Sequence, residues 1–383
     1  MKKLLILGAG ASRELNFNNK ITDRGTETPV RVIPHKEIGP LSSGFFYYTN
    51  KLYNSLKKDF SELMSEALVY EVKVSDILME YIKRYYKCNF NGNIDKEDLL
   101  QKEEVSKKVN VEKLYVFLKN KTLEDERKNK NLSTIESFSK SYSAERNLLE
   151  YIHTSLSILS YDCASNNYRI LSKYITNKGG NIISFNWDIL LEKAMMATGK
   201  WSPRDGYAIN FKEIIYKNEE DERKKMINEI QSNNFILKPH GSINWYNKDD
   251  KMDEQNLLIQ SNSNLNAESY GHLKRFENNY YSSIVPPGAK ENFFREVWNM
   301  MKRLLEEADE IATIGFSFND NDLHIKNELN SIKYKKNIKV TIINPENEKL
   351  EKIYFEVFRT NNLEMKFKTF SEYCQMLIEK KEV

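Results

Sequence analysis

Apolar residues along this chain fall into short unbroken runs separated by longer mixed stretches, a pattern that predicts buried strands alternating with amphipathic helices. Leu4-Leu5-Ile6-Leu7, Ile182-Ile183-Ser184-Phe185, Ile311-Ala312-Thr313-Ile314 and the run from Ile338 to Ile343 are such segments. Each is followed by small or polar residues, namely Gly8, Asn186-Trp187-Asp188, Gly315 and Asn344-Pro345. Runs apolar on both faces suit parallel strands covered by helices, and open α/β sheets bind ligands beyond the carboxyl ends of such strands. From Phe293 to Ala308, the residues Phe293, Phe294, Val297, Trp298, Met301, Leu304 and Leu305 share one helical face just ahead of the Ile311 run, giving a helix-strand unit. The fold class expected is α/β: a Rossmann-like, mostly parallel sheet with helices on both faces.

Between about residues 60 and 180 the periodicity becomes helical. Ile77, Leu78, Tyr81, Ile82 and Tyr85 recur at helical spacing, as do Leu114, Val116, Phe117 and Leu118 less regularly. Ser133 with Glu136 makes a capping-box pattern before a long helical stretch through Leu148, Leu149, Ile152, Leu156 and Leu159. The expected division is therefore a nucleotide-binding domain made of 1–60 and 181–383, interrupted by a helical insertion at 61–180. The charged run Glu219 to Lys225 reads as a solvated face, and the Asn- and Ser-rich region from Asp249 to Asn279 as loop.

Composition narrows the function classes. Of 383 residues, 58 are Lys or Arg and 55 are Asp or Glu, a net +3, which excludes a dominant nonspecific attraction to nucleic acid or membrane. The Lys333, Lys335 and Lys336 cluster around Tyr334 reads as solvated surface, so no intrinsic sequence-specific nucleic-acid binding is expected. The apolar run after Lys2-Lys3 stops at Gly8, short of the roughly 7–15 residues of a signal peptide. No run reaches the ~18–20 residues of a membrane helix. Cys88, Cys163 and Cys374 are the only cysteines and lie far apart, too few for a four-cysteine zinc site. A soluble cytoplasmic protein without a metal is the expectation.

The chemistry-bearing residues sit where the strands end. Gly8-Ala9-Gly10-Ala11-Ser12 lets backbone approach a pyrophosphate and starts a helix whose free N–H groups favour negative charge, or else is an ordinary strand-to-helix turn. The full Gly-x-Gly-x-x-Gly pattern fails at Arg13. The acidic residue a dehydrogenase needs about 20 positions on is matched only by Asp23, in what reads as a loop. Asn186 and Asp188 deliver an amide and a carboxylate to the ligand edge, or cap the next helix. Among the five histidines, His240 in Lys238-Pro239-His240-Gly241-Ser242 is the strongest candidate for proton transfer, with Gly241 keeping the approach to its ring open. Gly315-Phe316-Ser317-Phe318-Asn319-Asp320 and Asn344-Pro345 offer hydroxyl and amide groups suited to ribose and phosphate, or turn chemistry.

Taken in order, Gly8-Ala9-Gly10-Ala11-Ser12, Ser184-Phe185-Asn186-Trp187-Asp188, His240-Gly241-Ser242, Ile314-Gly315-Phe316-Ser317-Phe318 and Ile343-Asn344-Pro345 resemble the successive NAD-site blocks of the sirtuin superfamily. The likeness is greatest to bacterial sirtuin-like NAD-consuming enzymes of antiphage defence. It implies that Gly8, Ala9, Gly10 and Ser12 contact phosphates and that Asn186 and Asp188 meet the nicotinamide ribose. It further implies that His240 is the catalytic base, with Gly315 at the cofactor edge and Ser317 and Asn344 on the adenosine half. Two features depart from the deacetylases: no cysteine lies between Cys163 and Cys374, and Glu14-Leu15-Asn16-Phe17 replaces their Gly-Ile-Pro-Asp-Phe-Arg. The function implied is NAD glycohydrolysis in abortive-infection defence, with NAD as substrate and no metal. Expected partners are further copies of the chain and a HerA-type ATPase or other defence protein. An NAD-dependent deacylase or ADP-ribosyltransferase is the alternative, and a noncatalytic nucleotide-sensing assembly module is the third reading.

Overall fold

The computed structural model describes residues 2–12, 20–23, 26–29, 44–47, 49, 76–86, 103–128, 135–162, 165–215, 232–248, 254–260, 281–285, 293–318 and 323–383. Arg13 to Phe17, His35, Cys88, Ser133, Cys163, the Glu219–Lys225 run, His272 and Asn319-Asp320 lie outside these residues, as do the side chains of Leu78 and Leu159. In chain order the elements begin with β1 (Lys3–Leu7), β2 (Lys20–Asp23), β3 (Thr26–Pro29), α1 (Asp76–Tyr86), α2 (Glu103–Ser106), α3 (Val111–Lys128), α4 (Ile135–Asp162) and α5 (Asn166–Lys178). Next come β4 (Asn181–Ser184), α6 (Leu190–Met196), α7 (Pro203–Gly206), β5 (Glu213–Ile215), β6 (Ile236–Leu237), β7 (Gly241–Asn247), β8 (Leu258–Gln260) and β9 (Tyr281–Ile284). The chain closes with α8 (Arg295–Glu307), β10 (Glu310–Ile314), α9 (Leu323–Asn330), β11 (Lys339–Ile343), α10 (Asn347–Phe358), β12 (Leu363–Phe367) and α11 (Phe370–Glu379).

Six strands form one parallel sheet in the order β12-β11-β10-β1-β4-β6. Numbered by their sequence among these six, the order from the β6 edge is 3-2-1-4-5-6, the arrangement of a doubly wound nucleotide-binding fold. All four apolar runs become strands of this sheet, and their side chains are almost wholly buried. The strands end in register: Leu7 pairs with Ile314 on one side and Ser184 on the other, while Ile314 pairs with Ile343. Gly8, Phe185, Gly315 and Asn344 consequently share one edge. The order reverses between β1 and β10, which is where open α/β sheets leave a crevice.

Glycine is required at that point for packing. A Cβ on Gly8 would lie 2.6 Å from the Gly315 carbonyl oxygen, and one on Gly10 2.8 Å from the Gly315 Cα. Gly315 itself has φ +62°, and a Cβ there would come within 2.3 Å of the Ala11 nitrogen. The Gly10 N–H donates to the Gly315 carbonyl at 3.1 Å. Two turns thus lie backbone to backbone, and no side chain fits between them.

Helices α5, α6 and α11 pack together, and α9 packs on α10. Ser165 caps α5 by accepting from the Tyr168 N–H, and Thr369 with Glu372 forms a capping box at α11. Although α5 falls within the stretch read as a helical insertion, it covers the sheet's own helices α6 and α11. Within that stretch α3 packs on both α1 and α4, and α4 also lies on β7 and β9. Tyr81, Ile82, Leu114, Leu148 and Ile152 are buried there, whereas Tyr85 is exposed.

Several local expectations are corrected. The helix expected from Phe293 begins at Arg295, because Phe294 takes a left-handed φ of +60° before it. Asp23, read as loop, ends a strand of the β2–β3 antiparallel hairpin. The region from Asp249 onward contains the strand β8. A second sheet, β5-β8-β7-β9, was not expected at all. Its central strand Gly241-Ser242-Ile243-Asn244-Trp245-Tyr246-Asn247 mixes polar and apolar residues, yet all seven are buried. Ser283 and Tyr207 take up Asn247 and Asn244 by hydrogen bonds. Gly241 does not serve to open a path to His240. It has φ +73°, and a Cβ would meet the Ser283 carbonyl at 2.0 Å, so it allows β9 to approach β7.

These contacts separate two glycines of similar backbone conformation. Gly199 has φ +70° with nothing near its missing Cβ, so Gly199→Ala should cost about 1 kcal/mol. Gly315→Ala adds steric overlap to the same strain and should cost about 3 kcal/mol or more. Urea unfolding of the two variants measures the difference, and equal costs would contradict the backbone contact.

Candidate active site

The ends of β1 and β4 are joined by one buried hydroxyl. Ser12, fully buried in the turn after β1, donates to Asp188 Oδ2 at 2.8 Å. Its oxygen accepts from Asn186 Nδ2 at 3.1 Å and lies 2.9 Å from the Tyr168 hydroxyl. A hydroxyl has one proton to give, and Asp188 takes it, so Tyr168 is the donor in its pair with Ser12. Burial and the Asp188 charge raise the Tyr168 pKa well above the phenolic range, which keeps that proton in place. Asp188 also accepts from the Leu190 N–H at 3.1 Å, the capping role that its sequence position allowed. The Asn186 amide, besides donating to Ser12, also reaches the Tyr168 hydroxyl, so its side chain is held in place by both.

Beneath this group lies a buried ion pair. Lys238, with no exposed side-chain surface, donates to Glu192 Oε1 at 2.8 Å and to the Asp188 carbonyl at 2.6 Å. Burial raises the Glu192 pKa, and Lys238 opposes that shift. The pair ties the start of α6 to the segment after β6 and so fixes the backbone on both sides of Asp188 and His240.

His240 follows β6 and is 2% exposed. The Phe185 ring, adjacent to Asn186, meets it edge-on at 5.2 Å and stacks on Phe316 at 5.1 Å. His240 Nε2 lies 3.3 Å from His324 Nε2 of α9, while its buried Nδ1 has no hydrogen-bond partner among the described residues. Desolvation, assisted by His324 and opposed by the Phe185 backbone, lowers the His240 pKa from 6.5 to about 3. The ring is therefore neutral at physiological pH and able to accept a proton.

The remaining expected residues divide between surface and support. Ala9, Gly10, Gly315 and Ser317 are partly exposed along the crevice between β1 and β10, whereas Gly8 is buried. Asn344 donates to the Phe316 carbonyl at 3.4 Å and accepts from the Glu346 N–H at 3.0 Å, so its amide holds the turn after β10. Ser12 turns its hydroxyl inward to Asp188, Asn186 and Tyr168, which leaves the turn's backbone, and not this side chain, facing the crevice. Sequence reading missed Tyr168, Lys238, Glu192 and His324. Tyr168 lay within a helical pattern, and His324 was set aside for lack of distinctive neighbours. The succession Asp322-Leu323-His324 after a strand-end turn was the one signal available.

With this geometry established, the matched family is informative: residues 180–364 fit the family model described as a SIR2-like domain. That match spans Asn186, Asp188, His240, Gly315, Ser317 and Asn344, while the glycine turn after β1 lies before it. Among solved structures, a Sir2 protein bound to acetylated peptide is 12% identical, with 63% of this chain and 80% of that chain covered and a TM-score of 0.36. A Sir2–p53 peptide–NAD+ complex is 12% identical over 63% of this chain and 79% of that one, with a TM-score of 0.35. A Sir2 variant with deacetylated p53 peptide and 3′-O-acetyl ADP ribose is 11% identical over 100% and 94%, at 0.36. No curated protein matches the chain. Among the described residues no group of three or more His, Cys, Asp or Glu side chains is placed to hold a metal, and no helix is long and apolar enough to cross a membrane.

Two outcomes test the SIR2-like site as a folded unit. Ser12→Ala strips Asp188 and Tyr168 of their buried partner and should destabilise the protein by about 1–3 kcal/mol in urea unfolding. For His240, the unfolded chain takes up a proton near 6.5 and the native ring only near 3. The unfolded state then binds more protons in that window, so this contribution is complete above pH 6.5 and is lost as pH falls toward 3, by about 1.4 kcal/mol per pH unit at the steepest. The stability gap between wild type and His240→Asn should narrow accordingly from pH 7 to pH 4, and a gap independent of pH would refute the buried neutral ring.

Proposed function

We propose that this protein hydrolyses the N-glycosidic bond between nicotinamide and ribose in NAD, giving nicotinamide and ADP-ribose. The observation that carries this reading is the pairing of two ligand-ready groups on adjacent strand ends. Asn186 offers a fixed amide after β4, and after β6 His240 offers a buried Nδ1 without a partner among the described residues. Both stand at the carboxyl edge of a sheet whose order reverses beside the glycine turns, the place where this architecture receives dinucleotides. The SIR2-like match supports NAD as the substrate.

The chemistry asks little of an acid. Nicotinamide is cationic in NAD and leaves neutral, so the transition state carries its charge on the ribose ring. Positioning and charge stabilisation then supply most of the rate. Asn186 orients the ribose or the attacking water, and His240 accepts a proton from that oxygen. Asp188 acts from behind, through Ser12, by fixing the asparagine. The backbone of Gly8, Ala9 and Gly10, with Gly315 and Ser317 across the crevice, receives the phosphates and adenosine half, and Asn344 supports that wall. Water is the favoured acceptor because the stretch between Cys163 and Cys374 carries no cysteines for a zinc module.

On the resemblance of its sequence blocks we place the activity in antiphage defence, where infection would release it. In that reading the helical segment 61–180 is the control surface, facing further copies of the chain or a HerA-type ATPase.

Chromatography of NAD incubated with the purified protein alone tests the central claim. Nicotinamide and ADP-ribose should accumulate without any acylated peptide, and strict dependence on such a peptide would transfer the assignment to a deacylase. His240→Ala and Asn186→Ala should each lower nicotinamide release by about a hundredfold or more while the far-ultraviolet circular dichroism stays unchanged.

A further inference from the structure

Which end of the Asn186 amide meets a ligand is decided by its neighbours. As a carboxylate Asp188 can only accept, so the single Ser12 proton goes to its Oδ2 and the Ser12 oxygen is left to accept. An amide bonded to that oxygen at 3.1 Å must present its N–H and not its carbonyl. The second lone pair of Ser12 receives the Tyr168 hydroxyl at 2.9 Å. Tyr168 in turn accepts from the Asn186 amide, a bond that favours the phenolate and so opposes the upward push of burial on its pKa. The Asn186 nitrogen is thereby drawn inward by two oxygens. In a planar amide the carbonyl points away from the nitrogen's partners, so Oδ1 is the end turned from Ser12 and Tyr168.

Tyr168 is itself firmly placed. It is 1% exposed, and its backbone N–H is bonded to the cap residue Ser165 at 3.3 Å. Its ring meets Phe370 of α11 edge-on at 5.6 Å. The neighbouring Asn167 donates to the Ser371 hydroxyl at 3.0 Å and accepts from the Cys374 thiol at 3.5 Å, which fastens this turn of α5 to α11.

We infer that Tyr168 is a positioning residue for the reaction: together with Ser12 it locks the Asn186 amide so that Oδ1, an acceptor, meets the ribose hydroxyl or attacking water. The inference rests on the hydrolase reading given above. Ser12 alone would leave the amide plane free to turn about one bond, and the phenol supplies the second point of attachment. An acceptor at that place takes a hydrogen bond from the O–H group and leaves the oxygen's lone pair for the anomeric carbon. Its partial negative charge also favours the positive charge that gathers on the ribose ring. A flipped amide would put an N–H there instead, competing for the same lone pair and opposing that charge. Tyr168 acts through Asn186 and does not touch the substrate.

Tyr168→Phe removes the hydroxyl and keeps the ring. It should lower kcat for nicotinamide release by about tenfold or more and leave KM for NAD within about twofold, with the far-ultraviolet circular dichroism unchanged. Because the effect runs through the amide, the same substitution should cost less than about twofold further on an Asn186→Ala background, whereas a general loosening of the fold would lower both. In 15N-labelled protein the Asn186 side-chain amide, assigned by its absence from the Asn186→Ala spectrum, should exchange its hydrogens about tenfold faster in Tyr168→Phe than in wild type. That readout is independent of turnover. Wild-type kcat in Tyr168→Phe, a raised KM with unchanged kcat, the full loss repeated on Asn186→Ala, or unchanged amide exchange would each overturn this role while leaving the hydrolase reading intact. If wild type releases no nicotinamide from NAD alone, the hydrolase reading itself fails and the positioning role with it.

Discussion

The site depends on a contact that contains no side chain. Gly8 and Gly10 lie against the backbone of Gly315 at distances no Cβ would permit, and this brings the turn after β1 flush with the turn after β10. These glycines, of a kind that can admit a pyrophosphate to backbone N–H groups, are therefore already required by the protein's own packing. Two explanations that compete when the glycine turn is read in sequence are thus compatible once Gly315 is seen opposite it.

From that turn, order spreads by hydrogen bonds through Ser12. One hydroxyl satisfies an amide and a carboxylate from the segment after β4 and a phenol from α5. A buried carboxylate is tolerable only when its oxygens are bonded, and Asp188 meets that condition with Ser12 on one oxygen and the Leu190 N–H on the other. The Lys238–Glu192 pair below it is a different kind of feature. Buried ion pairs contribute little net stability, because desolvation offsets much of their attraction. What this one does supply is placement, since Lys238 also holds the Asp188 carbonyl and lies two residues before His240.

Much of this was legible in the sequence, for identifiable reasons. The runs at Leu4, Ile182, Ile311 and Ile338 are continuous and β-branched because parallel strands are buried on both faces, and the polar residues closing them mark the ligand edge. The second sheet was not legible because β7 alternates neither cleanly nor in the usual direction: Ser242, Asn244 and Asn247 are buried alongside Ile243 and Trp245. Asn244 is met by Tyr207 just after α7 and Asn247 by Ser283 of β9, partners that no local window contains. Gly241 was misread for the same reason, since its need arises from β9, more than forty residues away. Tyr168 and His324 reach the site only through tertiary packing of α5 and α9, and for Tyr168 the local surroundings gave no sign of it.

The helical segment is fastened to both halves of the site, and this limits how it can move. Tyr168 of α5 holds Ser12 and through it Asn186, while His153 of α4 lies 2.6 Å from the Ile243 carbonyl on the strand that begins just after His240. The next N–H along the link, that of Ile243, donates to the Trp187 carbonyl at 3.0 Å, between Asn186 and Asp188. Ser160, near the end of α4, accepts from Lys193 of α6 through its carbonyl. Each such bond contributes about 1 kcal/mol net, but leaving its buried groups unpaired costs more. A rigid shift of α4 or α5 would break several at once, so the helices and the two catalytic candidates can only exchange between whole arrangements. A partner bound to the helical segment would then bias Asn186 and His240 together, to the extent that it prefers one arrangement over the other.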